Sequence, residues 1–241
     1  MKCIFNWSGG KDSALCLHHV LQEGKYEVEA LLTTLSNTNR RVTMHGVRQE
    51  LLQQQAQSIG LPLQQVLLPE NAGIDAYNEL MQVSLRPLWE QGIKQSIYGD
   101  INLEDLRKYR EEQLAHVGMQ AVFPLWGRPT HELVREFIHL GFKAVVVCVN
   151  ARLLDASFTG RLLDEQFLKD LPAGVDPAGE NGEYHTFVFD GPIFKEPVKY
   201  KLSERVHRTY GASAKPDDDC FAKAATPIYD TGFWFCDLLP A

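Results

Sequence analysis

Between an apolar run, Cys3-Ile4-Phe5, and an amphipathic one, Ala14 to Leu21, lies the stretch Asn6-Trp7-Ser8-Gly9-Gly10-Lys11-Asp12-Ser13. Two adjacent glycines between a predicted strand and a predicted helix allow positive φ and close approach of a ligand to the backbone. The helix that follows turns its free N–H groups and positive dipole end back on the loop, which suits a phosphate or pyrophosphate. Lys11 adds a cation, and Asp12 is placed to meet a metal bound to those phosphates. The stretch is not a Walker A loop: with Gly10-Lys11 aligned, Phe5 stands where the first glycine belongs and Asp12 where the hydroxyl belongs. No Gly-x-Gly-x-x-Gly is present, which removes the dinucleotide fingerprint.

Strands and helices alternate through the first 150 residues. Strands are expected at about 2–7, Val28 to Leu35, Leu63 to Leu68, Ser96 to Tyr98, Gln120 to Phe123 and Ala144 to Val149. Helical stripes lie between them: Leu17, Val20, Leu21; Val47, Leu51, Leu52, Ile59; Ile74, Tyr77, Leu80, Met81, Leu88; Leu103, Leu106, Tyr109, Leu114; and Leu133, Phe137, Ile138, with Thr130 as a candidate cap. The order implies right-handed βαβ units and an open, mainly parallel sheet with helices on both faces, an α/β fold. The continuous run at 144–149 reads as its last strand, covered on both sides. Ligands of such sheets bind beyond the carboxyl ends of the strands. There the sequence places Ser8-Gly9-Gly10, Thr33-Thr34, Gly99-Asp100 and Pro124-Leu125-Trp126-Gly127.

Residues 1–150 are expected to form a nucleotide-binding domain and 151–241 a smaller α+β part that closes on it. The second part has one helix near Leu162 to Leu168, a turn-rich stretch, a strand at His185 to Phe189, another at Val198 to Tyr200, and an apolar tail, Gly232 to Cys236. Lys215 to Asp219 reads as a solvated loop. The formal net charge is −7, which argues against stable nucleic-acid binding. The cysteines, Cys3, Cys16, Cys148, Cys220 and Cys236, are odd in number and contain no Cys-x-x-Cys pair, so neither a disulfide framework nor a zinc ribbon is expected. The chain enters a strand at once and has no apolar run of about 18 residues; no membrane association and a reducing cytoplasm are the expectation.

Gly179-Glu180-Asn181-Gly182-Glu183-Tyr184-His185-Thr186 sets two carboxylates and an imidazole on a glycine-flanked turn. Alone it is ordinary turn chemistry. Ser8-Gly9-Gly10-Lys11-Asp12-Ser13, however, matches the PP-loop of the ATP pyrophosphatase superfamily. Joined to Met44-His45-Gly46, Tyr98-Gly99-Asp100-Ile101, Pro124 to Gly127 and Gly179 through Phe194, it makes roughly residues 1–195 resemble the diphthine–ammonia ligase (diphthamide synthase) family.

The resemblance implies an adenine nucleotide alpha-hydrolase-like fold and a two-step reaction. ATP, with Mg²⁺, activates a carboxylate as an acyl-adenylate and releases pyrophosphate; ammonia then displaces AMP. Gly9, Gly10, Lys11, Ser8 and Ser13 would hold phosphate, Thr33 and Thr34 border the adenine, Gly99 and Asp100 meet the nucleotide (Asp100 alternatively a metal), and His45 either closes over the nucleotide or serves as a packing or capping residue. Asp12 would meet the metal, and Glu180, Glu183 and His185 would line the opposite wall, holding ammonium, deprotonating it or orienting the substrate. The acceptor would be a translation elongation factor in a host that makes diphthamide. Two other readings stand beside this one: a PP-loop tRNA-modifying enzyme, which would want a reactive cysteine pair and a basic surface, and an ATP sensor without turnover. The tail aromatics Phe221, Tyr229, Phe233 and Trp234 dock in cis or build a homodimer.

Overall fold

In the computed structural model, which describes residues 1–42, 46–69, 73–210 and 231–241 (side chains of Tyr210 and Thr231 excepted), five parallel strands form the first sheet. They are β1 (Lys2–Asn6), β2 (Glu27–Ser36), β3 (Leu63–Leu68), β4 (Gln95–Ile97) and β5 (Gln120–Val122), in the order β3-β2-β1-β4-β5. The chain winds outward from β1 in both directions. The topological switch therefore falls beside β1, and the loop after β1 opens into the crevice there.

Successive side chains of a strand leave on opposite faces, and each face has its own core. Cys3 and Phe5 of β1 and Leu31 and Leu35 of β2 pack with α1 (Lys11–Glu23), α2 (Gln49–Ile59) and, further along the chain, α5 (Thr130–His139). Ile4 and Leu32 pack the other way, with Val66, against α3 (Ile74–Glu90) and α4 (Glu104–Ala115). Helices thus cover both faces, as the alternation implied.

The run at 144–149 is a strand and is fully buried, but it belongs to a different sheet. β6 (Lys143–Asn150), β7 (Tyr184–Asp190), β8 (Tyr200–Tyr210) and β9 (Thr231–Pro240) make an antiparallel sheet in the order β7-β6-β9-β8. This corrects the expectation of one more parallel strand. An apolar run reports burial on both faces, whichever sheet supplies the cover. The helix expected near Leu162 to Leu168 is shorter, α6 (Glu165–Asp170), and Leu162 instead forms a bridge to Val145. The strand expected at Val198 to Tyr200 starts at Tyr200 and runs on through Tyr210.

The tail strand is present. Phe233 and Trp234 pack in cis against the main core and pair with Asn150 and Val149 of β6. Phe221, Tyr229, Cys220 and Lys215 to Asp219 lie outside the described residues. Among the described residues no helix is long and apolar enough to cross a membrane.

Candidate active site

The loop after β1 is stitched to three elements at once. Gly9 has φ +79°, and a Cβ there would come within 2.8 Å of both Gln55 Oε1 and Leu52 Cδ2 of α2. Its carbonyl accepts from the Val188 amide at 2.9 Å and from Gln55 Nε2 at 3.0 Å. Gln55 is completely buried. It also donates to the Val188 carbonyl at 2.5 Å and accepts from the Trp7 indole at 2.9 Å. The Lys11 amide donates to the Thr186 hydroxyl at 3.1 Å. The antiparallel sheet, through β7, therefore forms one wall of the loop.

Within the loop, Gly10 is the N-cap of α1, and no side chain caps the helix. Its positive end is left to the cleft. The Ser8 and Ser13 hydroxyls lie 3.0 Å apart; Ser13 Oγ also donates to the Gly10 carbonyl at 2.9 Å. The Lys11 ammonium, buried, sits on both Asp12 oxygens at 2.9 and 2.7 Å and 5.6 Å from the Tyr184 ring centre.

The second motif is a folded loop with divided duties. Glu183, 2% exposed, accepts from the Asp176 amide at 3.0 Å, the Asn181 amide at 2.8 Å and Asn181 Nδ2 at 3.1 Å. Both its oxygens are spent on the loop itself, so Glu183 shapes the motif instead of reaching across the cleft as expected. Asp176, which sequence reasoning passed over, does similar work. Its Oδ1 accepts from the Ala178 and Glu180 amides at 2.8 and 3.3 Å. Its Oδ2 accepts from the Thr130 hydroxyl at 2.7 Å. Thr130 is thus a tie between α5 and this loop; the N-cap of α5 is Pro129.

These braces hold the loop that carries Glu180. Burial, then the negative charge of Asp12, pushes the Glu180 carboxyl up to about 8, against the pull of Lys11 and with further help from Asp176 and Asp100. His185 is half-buried; burial first, then the Lys11 charge, drives its imidazole down to about 4, so it is neutral at pH 7. The Tyr184 hydroxyl donates to the Pro177 carbonyl at 2.6 Å, and its ring is buried beside Lys11.

At the exit of β4 the chain passes within touching distance of α1. A Cβ on Gly99 would lie 3.0 Å from the Asp12 carbonyl oxygen and 3.1 Å from the Ser13 nitrogen, both backbone atoms that cannot swing aside. Gly99 is required for this packing, a role distinct from the nucleotide contact expected of it. Gly99→Ala should cost about 1–3 kcal/mol through overpacking and lower the melting midpoint by several degrees; an unchanged midpoint would show that the approach is looser than described. Asp100 is ion-paired to Arg110 at 2.6 Å, and the guanidinium lies 4.1 Å from the Tyr98 ring centre. Burial still holds the Asp100 carboxyl above its ordinary value, Arg110 opposing.

β2 runs on to Ser36, so Thr33 and Thr34 do not end it. Thr33 is buried and pairs with Gln65; Thr34, on the opposite face, is half-buried and pairs with Val66. His45 lies outside the described residues. Gln55, Thr186, Asp176 and Arg110 are the site residues that sequence reasoning missed. Gln55 had a visible signal, as a polar side chain on the inner stripe Leu51-Leu52-Gln55-Ala56-Ile59, and Thr186 closes the quoted motif from Gly179.

No group of three or more His, Cys, Asp or Glu able to hold a metal occurs among the described residues. Asp12 offers a hard oxygen donor, and Lys11 occupies both its oxygens. The residues therefore do not make a resident metal site. Mg²⁺ commonly binds through one or two carboxylates plus substrate phosphates, and that is the only role this donor set fits. Asp12, Asp100 and Asp176 outnumber the two cations Lys11 and Arg110, a balance that favours small cations arriving in the cleft.

Comparison with known proteins gives the family. Relatives include the diphthine–ammonia ligase of Rattus norvegicus, 34% identical over 118 residues, 46% of this chain and 44% of that protein. The Schizosaccharomyces pombe protein of the same name is 24% identical over 97% of this chain and 41% of its own length. The Danio rerio protein, also of that name, is 27% identical over 92% of each. The alignments thus span less than half the length of the rat and yeast proteins. Family models for the diphthamide synthase N-terminal and C-terminal domains match residues 1–121 and 129–213 in tandem, and the chain belongs to the diphthamide synthase family.

Proposed function

We propose that this chain is an ATP-dependent ligase that adenylates a carboxylate and converts it to an amide with ammonia. One observation carries the reading: the buried Lys11 ammonium, held on Asp12, stands at the uncapped positive end of α1, and both charges act on the Glu180 carboxyl. The amides at the start of α1 and the Lys11 ammonium are suited to the charge that develops on the phosphates. Ser8 and Ser13 exchange their mutual contact for phosphate oxygens, and Asp12 meets the Mg²⁺ that ATP brings with it.

In the first step a carboxylate oxygen bonds to the α-phosphorus and the bond to pyrophosphate breaks. In the second, the ammonia nitrogen attacks the acyl carbon, the bond to AMP breaks, and the proton shed by nitrogen passes to Glu180. Neutral His185 orients the acceptor, and Glu183 and Asp176 hold the loop that aims Glu180. The acceptor is a diphthine-like carboxylate, carried on a translation elongation factor where the host makes diphthamide.

A thiolation reading finds little support. Cys3, Cys16, Cys148 and Cys236 are all buried. Burial pushes Cys3 and Cys148 up to about 12 and Cys16 well above its ordinary value, far from a reactive thiolate.

The test is to incubate the protein with Mg·ATP, ¹⁵N-ammonium and the candidate acceptor. The expected products are AMP and pyrophosphate in equal amounts, with ¹⁵N in the acceptor amide. ADP and phosphate would overturn the proposal. Stoichiometric ATP binding without AMP in the presence of acceptor would decide for a sensor.

A further inference from the structure

We propose that Asp237, on the last strand, is a positioning residue for the phosphate-binding loop, acting through Arg48 and α2. The ligand readout below rests on the nucleotide reading of the site; the spectroscopic one does not.

Asp237 receives two guanidinium groups. Arg41 donates to its two oxygens at 2.6 and 3.0 Å, and Arg48 at 3.3 and 2.6 Å. Arg41 also donates to the Gly46 carbonyl at 2.7 Å. Arg41 and Arg48 themselves face each other across an antiparallel bridge. Burial raises the Asp237 carboxyl, but the bonds from Arg41 and Arg48 prevail and hold it down at about 2. The carboxylate has a firm footing, because its neighbours Cys236 and Leu238 are buried and β9 is paired with both β6 and β8.

Arg48 is the N-cap residue of α2. Leu52 and Gln55 follow it at i+4 and i+7, so all three lie on one stripe of the helix. Leu52 walls Gly9, and Gln55 bonds the Gly9 carbonyl, the Val188 carbonyl and the Trp7 indole. Seven residues of helix carry the Arg48 position to Gln55 over about 10 Å as a stiff rod. A displacement at the Asp237 end therefore reaches three buried hydrogen bonds at the loop. An isolated surface ion pair would have no such lever.

The experiment compares the full chain with Asp237→Asn, Asp237→Glu and, as a control, Asp170→Asn, which breaks the Arg161–Asp170 pair at 2.5 Å away from the loop. In nucleotide-free protein, Asp237→Asn should shift the Trp7 indole and Gly9 amide NMR resonances, and Asp170→Asn should leave them in place. Titration with Mg·ATP should show about a tenfold weaker Kd for Asp237→Asn, with Asp237→Glu within threefold of wild type. The combination of Asp237→Asn with Gln55→Leu should weaken Kd by less than the product of the single effects. Unmoved Trp7 and Gly9 resonances in Asp237→Asn overturn the proposal, as does a multiplicative double mutant. If Asp237→Asn does not fold, Arg48→Gln, which breaks the same pair from the other side, decides by the same resonances: shifted Trp7 and Gly9 signals sustain the proposal and unmoved ones overturn it. A wild-type protein that binds no ATP would refute the nucleotide reading and leave the resonance test standing.

Discussion

A Lys11→Met protein should form AMP at least ~10²-fold more slowly than wild type, the usual cost of removing one preorganised group from a developing oxyanion, and should melt within a few degrees of it. The two halves of this expectation come from different atoms. The Lys11 backbone amide is held by the Thr186 hydroxyl and survives the substitution. Methionine fills most of the buried stem volume, so little cavity is left. The ion pair lost is with Asp12, whose side chain is 32% exposed. Such a pair contributes about 0–1 kcal/mol, and water can solvate the stranded carboxylate.

The rate effect is larger because the Lys11 side chain is only 7% exposed and its charge acts where water is scarce. Asp12→Ala provides the contrast. It frees the ammonium from its carboxylate, so ATP should bind as tightly as before or more tightly while turnover is lost with the metal contact. Turnover of Lys11→Met within tenfold of wild type would refute the assigned role, and a fully active Asp12→Ala would refute the metal contact.

How much of this was legible depended on whether a residue's partner was near in sequence. The loop at Ser8 to Ser13 was readable because strand, glycines and helix start are contiguous, and its position at the switch point followed from the βαβ alternation alone. Gln55 was half-legible: its place on the inner stripe was visible, but its partners Gly9 and Val188 are 46 and 133 residues away. β6 was read into the wrong sheet because Ala144 to Val149 reports only that both faces are covered. Its neighbours β7 and β9 come later in the chain, and nothing local names them. β8 is long but mostly exposed, so alternation gave no pattern to find.

Glu180 and Glu183 show the same limit inside one motif. Three residues apart, they are chemically alike in the sequence. Glu183 is buried with both oxygens bonded to its own loop, and Glu180 is a carboxyl raised by burial and the Asp12 charge. Only the fold of the turn separates a brace from a reactive group.

That separation sets the largest expected effect of pH. Glu180→Gln should melt several degrees above wild type at pH 9 in metal-free, nucleotide-free buffer and show no gain below about pH 4. The folded carboxyl is raised to about 8 from an unfolded value near 4.3. Its protonated form therefore contributes stability that is fully present below about pH 4.3 and is lost as pH rises through 8. Each tenfold change in proton affinity between the folded and unfolded chain is worth about 1.4 kcal/mol, and partial exposure of the group to the cleft reduces the total to about 1–3 kcal/mol. A neutral amide has no proton to lose, so the gain builds from about pH 4.3 upward and is complete above about pH 8.

The same substitution should slow amide formation by about 10²–10⁴-fold at pH 7, the usual range for a lost general base. If the task of Glu180 is to take a proton from ammonium, the deficit should shrink as pH rises and free ammonia accumulates. A deficit that stays constant from pH 7 to 9.5 would instead make Glu180 a substrate ligand. A wild type that melts as high as Glu180→Gln at pH 9 would show that Asp12, Asp100 and Asp176 do not strain the carboxylate at all.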